Sequence, residues 1–140
     1  MKTKVAAGLT VFLWFVCAFH VVVGLGVNLS DEFPQAMARY YGAQISWTPE
    51  FAYIVKPLGA FMIALGFMAG MAARDPFGHP EIVYGFVLLF AMRGLQRLAF
   101  QGEIETALNI ASTRNMGNAV AFLLLATVLF VLYRAARRSP

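Results

Sequence analysis

The chain is poor in the residues that carry most enzyme chemistry. It has one cysteine, two histidines and seven Asp and Glu in 140 residues. With Cys17 alone there is no C-x-x-C pair and no intramolecular disulfide, which excludes thiol–disulfide exchange within the chain. Cys17 reads as a small apolar packing residue. The metalloprotease H-E-x-x-H, the hydrolase G-x-S-x-G and the glycine-rich phosphate loop are all missing. Ser112 and Thr113 have no histidine nearby. The sequence therefore points to a protein that is not an enzyme, with no metal and no cofactor.

Long polar stretches are also lacking. What fills the chain instead is apolar: 60% of residues are hydrophobic, gathered in the runs Val5–Val27, Phe51–Ala73, Ile82–Phe100 and Met116–Tyr133. Each has the length of a membrane-crossing helix, about 17–25 residues. Transmembrane strands would alternate over about ten residues; these runs are continuous. The expected fold is an all-α membrane protein, a single four-transmembrane-helix bundle over residues 1–140. Val5–Val27 is longer than the apolar core of a cleaved signal peptide and no clear cleavage motif follows it, so it reads as a retained span.

The net charge of +4 is a topology signal, not a nucleic-acid footprint. Lys2, Lys4, Arg74, Arg134, Arg137 and Arg138 fall at the chain ends and in the second loop. The first and third loops hold only Arg39 and Arg114, with Asp31, Glu32, Glu50, Glu103 and Glu105. The positive-inside rule then places both termini in the cytoplasm. Membrane lipids are the expected surroundings, and no nucleic-acid partner is expected.

In the first outer loop, Ser30 precedes Asp31 and Glu32, and Phe33, Met37, Tyr40 and Tyr41 recur at helical spacing before Gly42. This predicts a short amphipathic helix on the outer surface. Thr48-Pro49-Glu50 has the form of a helix start. Trp47, Tyr40, Tyr41 and Tyr133 are expected as interface anchors. Gly66 and Gly70 form a G-x-x-x-G pair, expected to pack within the bundle, with a homodimer contact as the alternative.

Charges within a span cost about 2.5–3.5 kcal/mol each at a helix centre, so Lys56, Arg93 and Arg97 call for a reason. At about 1.5 Å of rise per residue, Arg97 lies roughly 8 Å inside the outer end of its span, Arg93 one turn deeper, Lys56 roughly 8–9 Å deep and His20 roughly 10 Å deep. All fall in the outer half. Arg93, Gln96 and Arg97 share a helix face. The expectation is a polar cluster in which Lys56, Arg93, Gln96, Arg97 and His20 meet the loop acids Asp31, Glu32, Glu50, Glu103 and Glu105, with Asn109, Asn115 and Asn118 at the rim. Such a cluster either locks the loops by ion pairing or receives an anionic or carbonyl head group.

The layout resembles that of the small bacterial four-helix membrane proteins of the DoxX-like group. The features that carry it are Phe33-Pro34, the second span Pro57-Leu58-Gly59-Ala60-Phe61, the turn Ala72-Ala73-Arg74-Asp75-Pro76 and the polar third span Arg93-Gly94-Leu95-Gln96-Arg97. The resemblance implies a four-helix bundle in the bacterial inner membrane and little about activity. Two functions follow as expectations. One is an accessory subunit of a larger membrane complex, such as a respiratory or photosynthetic electron-transfer assembly, with protein partners in the membrane. The other is a membrane protein that binds a lipid or a quinone-like amphiphile in a polar pocket.

Overall fold

The structure is a computed structural model that describes residues 2–138, with side chains from Lys4 onward. It is all-helical: α1 (Lys2–Leu29), α2 (Glu32–Tyr40), α3 (Pro49–Arg74), α4 (Pro80–Ala99), α5 (Gln101–Leu108) and α6 (Ser112–Arg138). Four of these, α1, α3, α4 and α6, are long and apolar enough to cross a membrane. α1, α3 and α6 reach beyond their hydrophobic runs at both ends, and α4 starts two residues before its run and ends at Ala99, because backbone hydrogen bonding continues until a cap or a turn intervenes. The extension is largest in α6, which begins a full turn before Met116 and ends at Arg138.

The caps are local and readable. Phe51 N–H donates to Thr48 Oγ1 at 3.3 Å, Pro49 occupies the first turn of α3, and Glu50 lies at its positive end. The turn from α3 to α4 is held by Gly78 N–H donating to Asp75 Oδ1 at 2.9 Å, and Pro80 opens α4. Phe33 N–H reaches Ser30 Oγ at 3.2 Å ahead of α2. α2 stops where Gly42 takes φ +90°, which lets Gly42 and Ala43 N–H close on the carbonyls of Arg39 and Ala38.

The bundle is two close pairs. α1 packs along α3, and α4 along α6. Small residues set both distances: a Cβ added at Gly66 would come within 2.6 Å of Val21 on α1, and one at Gly94 within 2.7 Å of Leu123 on α6. Gly70 faces Cys17 Sγ. Gly66 and Gly70 therefore serve the α1–α3 seam inside one chain.

At the end of the bundle that holds Lys4 and Arg138 the two pairs meet in a filled core. Leu9, Leu13 and Val16 pack there with Ala69, Ala72, Ala73, Val83, Phe86, Leu129 and Tyr133. Tyr133 differs from the expected interface anchor. It is 1% exposed and its ring packs on Tyr84 at 5.3 Å and Phe77 at 6.0 Å between centroids. The apolar run ends at Tyr133, but α6 does not, and the residue faces α4 instead of lipid.

Candidate functional site

Toward the other end, where α2 and α5 sit, the pairs part. A cleft of about 460 Å³ opens between them, within the about 300–1,000 Å³ typical of small-molecule sites. Val16, Phe19, His20, Val23 and Val27 of α1 line one wall, with Val55, Leu58, Gly59, Met62 and Leu65 of α3. Leu89, Phe90 and Arg93 of α4 and Phe122 and Leu125 of α6 line the other. Met37, Tyr40 and Tyr41, from α2 and the residue after it, cover the top. Of the lining residues, Phe15, Leu58 and Tyr40 are well exposed, so the rim is built of apolar and aromatic groups.

Among the described residues that line this cleft, His20 and Arg93 are the strongly polar ones. His20 is 4% exposed. Its ring lies among aromatics, with centroids 5.6 Å from Phe19, 5.5 Å from Phe86 and 6.4 Å from Phe90. Nδ1 lies 2.8 Å from the Val16 carbonyl. A carbonyl can only accept, so Nδ1 carries a proton, and in a neutral imidazole the lone pair then lies on Nε2. Nε2 has no hydrogen-bond partner among the described residues. The residue is buried but Nε2 keeps access to the cleft, where a donor from a bound molecule can reach it.

Arg93 stands almost one turn beyond Phe90 on the same stripe of α4. Its guanidinium lies over the Phe122 ring, 4.9 Å from the centroid, and forms no ion pair among the described residues. The cation–π contact supports the charge without spending its donors.

The remaining polar residues are placed differently from the expected cluster. Arg97 turns toward α6: Nη1 donates to Asn115 Oδ1 at 2.9 Å, and Asn115 Nδ2 returns a bond to the Arg97 carbonyl at 2.7 Å. The guanidinium is also 5.6 Å from the Tyr41 ring centroid. Lys56 reaches Asp31 Oδ1 at 3.2 Å in an exposed pair. Glu50, Glu103 and Glu105 are exposed and meet none of these cations. Gln96 is exposed and does not line the cleft. Among the described residues Lys56 with Asp31 is thus the one ion pair between a span cation and a loop acid, and at Arg97 a neutral asparagine, 1% exposed, takes the role assigned to a carboxylate.

Of the aromatic residues expected at the interface, Tyr40 is exposed, and Tyr41 is half-buried in the cleft roof. Trp47 packs edge-on to Phe51 at 5.0 Å, and its Nε1–H is buried without a partner. The roof is tied down by α6: Arg114 Nη2 donates to the Tyr40 carbonyl and Asn118 Nδ2 to the Tyr41 carbonyl at 3.2 Å. No cluster of three or more His, Cys, Asp or Glu suited to a metal ion occurs among the described residues.

The sequence reading missed the aromatic lining. Phe86, Phe90, Arg93 and Arg97 follow one another by four, three and four residues, a single stripe of α4. Aromatic residues leading up to a cation on one helix face are the signal that was there to find. No family model, curated protein or solved structure matches this chain.

Proposed function

We propose that the protein is a multi-pass protein of the bacterial inner membrane that binds an amphiphile in the cleft between its helix pairs, without turning it over. The observation that carries this reading is His20, buried in an aromatic wall with Nε2 unanswered, on the same cleft as the unpaired cation Arg93. The head group that fits offers an acceptor to Arg93 and an O–H or N–H to His20. The apolar rim favours entry from the hydrocarbon layer. Lys4, Arg74, Arg134, Arg137 and Arg138 at one end support cytoplasmic termini, which sets the cleft in the outer half. The accessory-subunit reading rests on missing motifs; the cleft gives the amphiphile reading a positive reason.

The test is native mass spectrometry and lipid extraction of protein taken gently from its own membranes, for wild type, Arg93→Ala and His20→Phe. A small bound mass is expected on the wild type. Arg93→Ala should lower its occupancy about tenfold or more, since hydrogen bonds to a charged group contribute about 1.5–3 kcal/mol. Equal ligand content in all three proteins would overturn the assignment. A defined larger assembly with an empty cleft would return the accessory-subunit reading.

A further inference from the structure

The polar groups of the cleft are ordered by depth. Tyr41 in the roof is tied through its carbonyl to Asn118 of α6. Phe122 lies four residues further along α6, and the Arg93 guanidinium stands over its ring. His20 is deeper again. It packs on Phe86 and Phe90, and Phe90 is three residues of α4, about 4.5 Å, further from the roof than Arg93. Beyond His20 the lining is apolar and reaches lipid at the exposed rim residues Phe15 and Leu58. From Val27 to Phe15 it covers twelve residues of α1, about 18 Å, close to half of a hydrocarbon core about 30 Å thick.

The two polar levels call for different chemistry. Arg93 and Arg97 are one turn apart, with guanidiniums 4.9 and 6.0 Å from the same Phe122 centroid, and neither forms an ion pair among the described residues. Like charges at that spacing repel, and groups held away from water are screened less. An anion at Arg93 relieves both. Phosphate suits guanidinium donors, because two of its oxygens accept parallel N–H bonds. His20 Nε2 accepts, so its partner is an O–H. A phosphate at the upper level and an alcohol at the lower one are separate groups, and a phosphate keeps its charge while the alcohol keeps its proton.

We propose, on the amphiphile reading of the cleft, that the occupant is a monoacyl phospholipid. Its phosphate is seated at Arg93, its free glycerol hydroxyl donates to His20 Nε2, and its acyl chain leaves past Phe15 and Leu58 into the hydrocarbon. The order phosphate, hydroxyl, hydrocarbon selects this class. In a diacyl phospholipid the middle glycerol oxygen is esterified and has no proton to donate. Hydroxyls carried by a head group lie on the far side of the phosphate from the chain, toward the roof and away from His20.

The experiment titrates the full-length protein, stripped of lipid in detergent, and reads occupancy by native mass spectrometry. The probes are palmitoyl lysophosphatidylglycerol, its analogue with hydrogen in place of the middle glycerol hydroxyl, the dipalmitoyl phospholipid with the same head, and palmitoylglycerol, which lacks the phosphate. Wild type should bind the first about fivefold to tenfold more tightly than the analogue, the effect of one hydrogen bond left unmade, and about tenfold or more tightly than palmitoylglycerol. The analogue comparison uses the wild-type protein alone, so it does not depend on the folding of any variant. His20→Phe should bind the lysophospholipid and its analogue equally, and Arg93→Ala should bind the lysophospholipid and palmitoylglycerol equally. If wild type binds the analogue or the diacyl lipid as tightly as the lysophospholipid, the monoacyl assignment is overturned; the cleft reading survives that result when the mass carried from native membranes is still lost in Arg93→Ala. Equal binding of all four probes by all three proteins, with equal native ligand content, would overturn the occupant and the cleft reading together.

Discussion

The reciprocal bond between Arg97 and Asn115 is the joint at which a charge is carried inside the α4–α6 pair, and removing it has a calculable cost. Asn115 is fully buried, accepts from Arg97 Nη1 at 2.9 Å, and donates to the Arg97 carbonyl at 2.7 Å. The first bond is charge-assisted, about 1.5–3 kcal/mol in water-soluble proteins. Side-chain bonds between membrane helices average about 0.6 and reach about 1.7 kcal/mol. A coupling of about 1–2 kcal/mol between the two side chains is the expected compromise. Asn115→Ala loses both bonds and leaves a small void, so it should destabilise by about 2–4 kcal/mol. Arg97→Ala removes only the Nη1 bond and leaves the backbone bond in place. The double variant isolates the side-chain term. Reversible unfolding in mixed micelles, measured for the wild type, both single variants and the double, supplies the four free energies. If the single effects add to within about 0.3–0.5 kcal/mol, the two side chains do not interact as described and the placement of Arg97 falls.

Other expectations can be read with the same assay. Gly66→Leu drives a side chain into Val21 and Cys17 across the α1–α3 seam, and overpacking of that kind should cost at least about 1–3 kcal/mol; a neutral result would show that the seam is not closed there. Gly42→Ala forces a Cβ into a left-handed turn and should cost about 1–2 kcal/mol, with α2 the first element to exchange its amides. Trp47→Phe removes a buried N–H that has no partner while keeping most of the ring, so it should be neutral or stabilising by up to about 1 kcal/mol, and a loss above that would mean the indole N–H is bonded.

The helices were legible because continuous apolar runs of this length have few alternatives, and their starts because Thr48, Pro49 and Pro80 are local signals. The turn after α2 falls at Gly42, whose left-handed backbone suits glycine. The Gly66–Gly70 pair was legible as a packing face, because small residues at that spacing exist to bring backbones together. The site was half legible. Depth along each helix follows from residue number alone, and His20 and Arg93, read at neighbouring depths, line one cleft. Partner choice does not follow from number. Opposite charges were paired on formal grounds, whereas a half-buried guanidinium needs acceptors at short range, and Asn115 on the neighbouring helix supplies one to Arg97 at 2.9 Å. Tyr133 was misread because hydropathy reports the end of an apolar run, not the end of a helix.

The cleft is a consequence of where the small residues lie. Gly24, Gly59 and Gly66 let α1 approach α3, and Gly94 lets α4 approach α6. Close approach within each pair leaves less side-chain bulk to bridge the gap between pairs. Near Lys4 and Arg138 that gap is filled from both sides by Leu9, Leu13, Phe86, Leu129 and Tyr133. Toward α2 it is not filled, and the residues that face it are a histidine with an open acceptor and a cation with open donors. Selection for packing alone would place another leucine at His20 and end its unanswered acceptor. The bundle keeps polar groups where its core is open and roofs them with a helix tied to α6 through Arg114 and Asn118, the arrangement on which the proposed ligand binding rests.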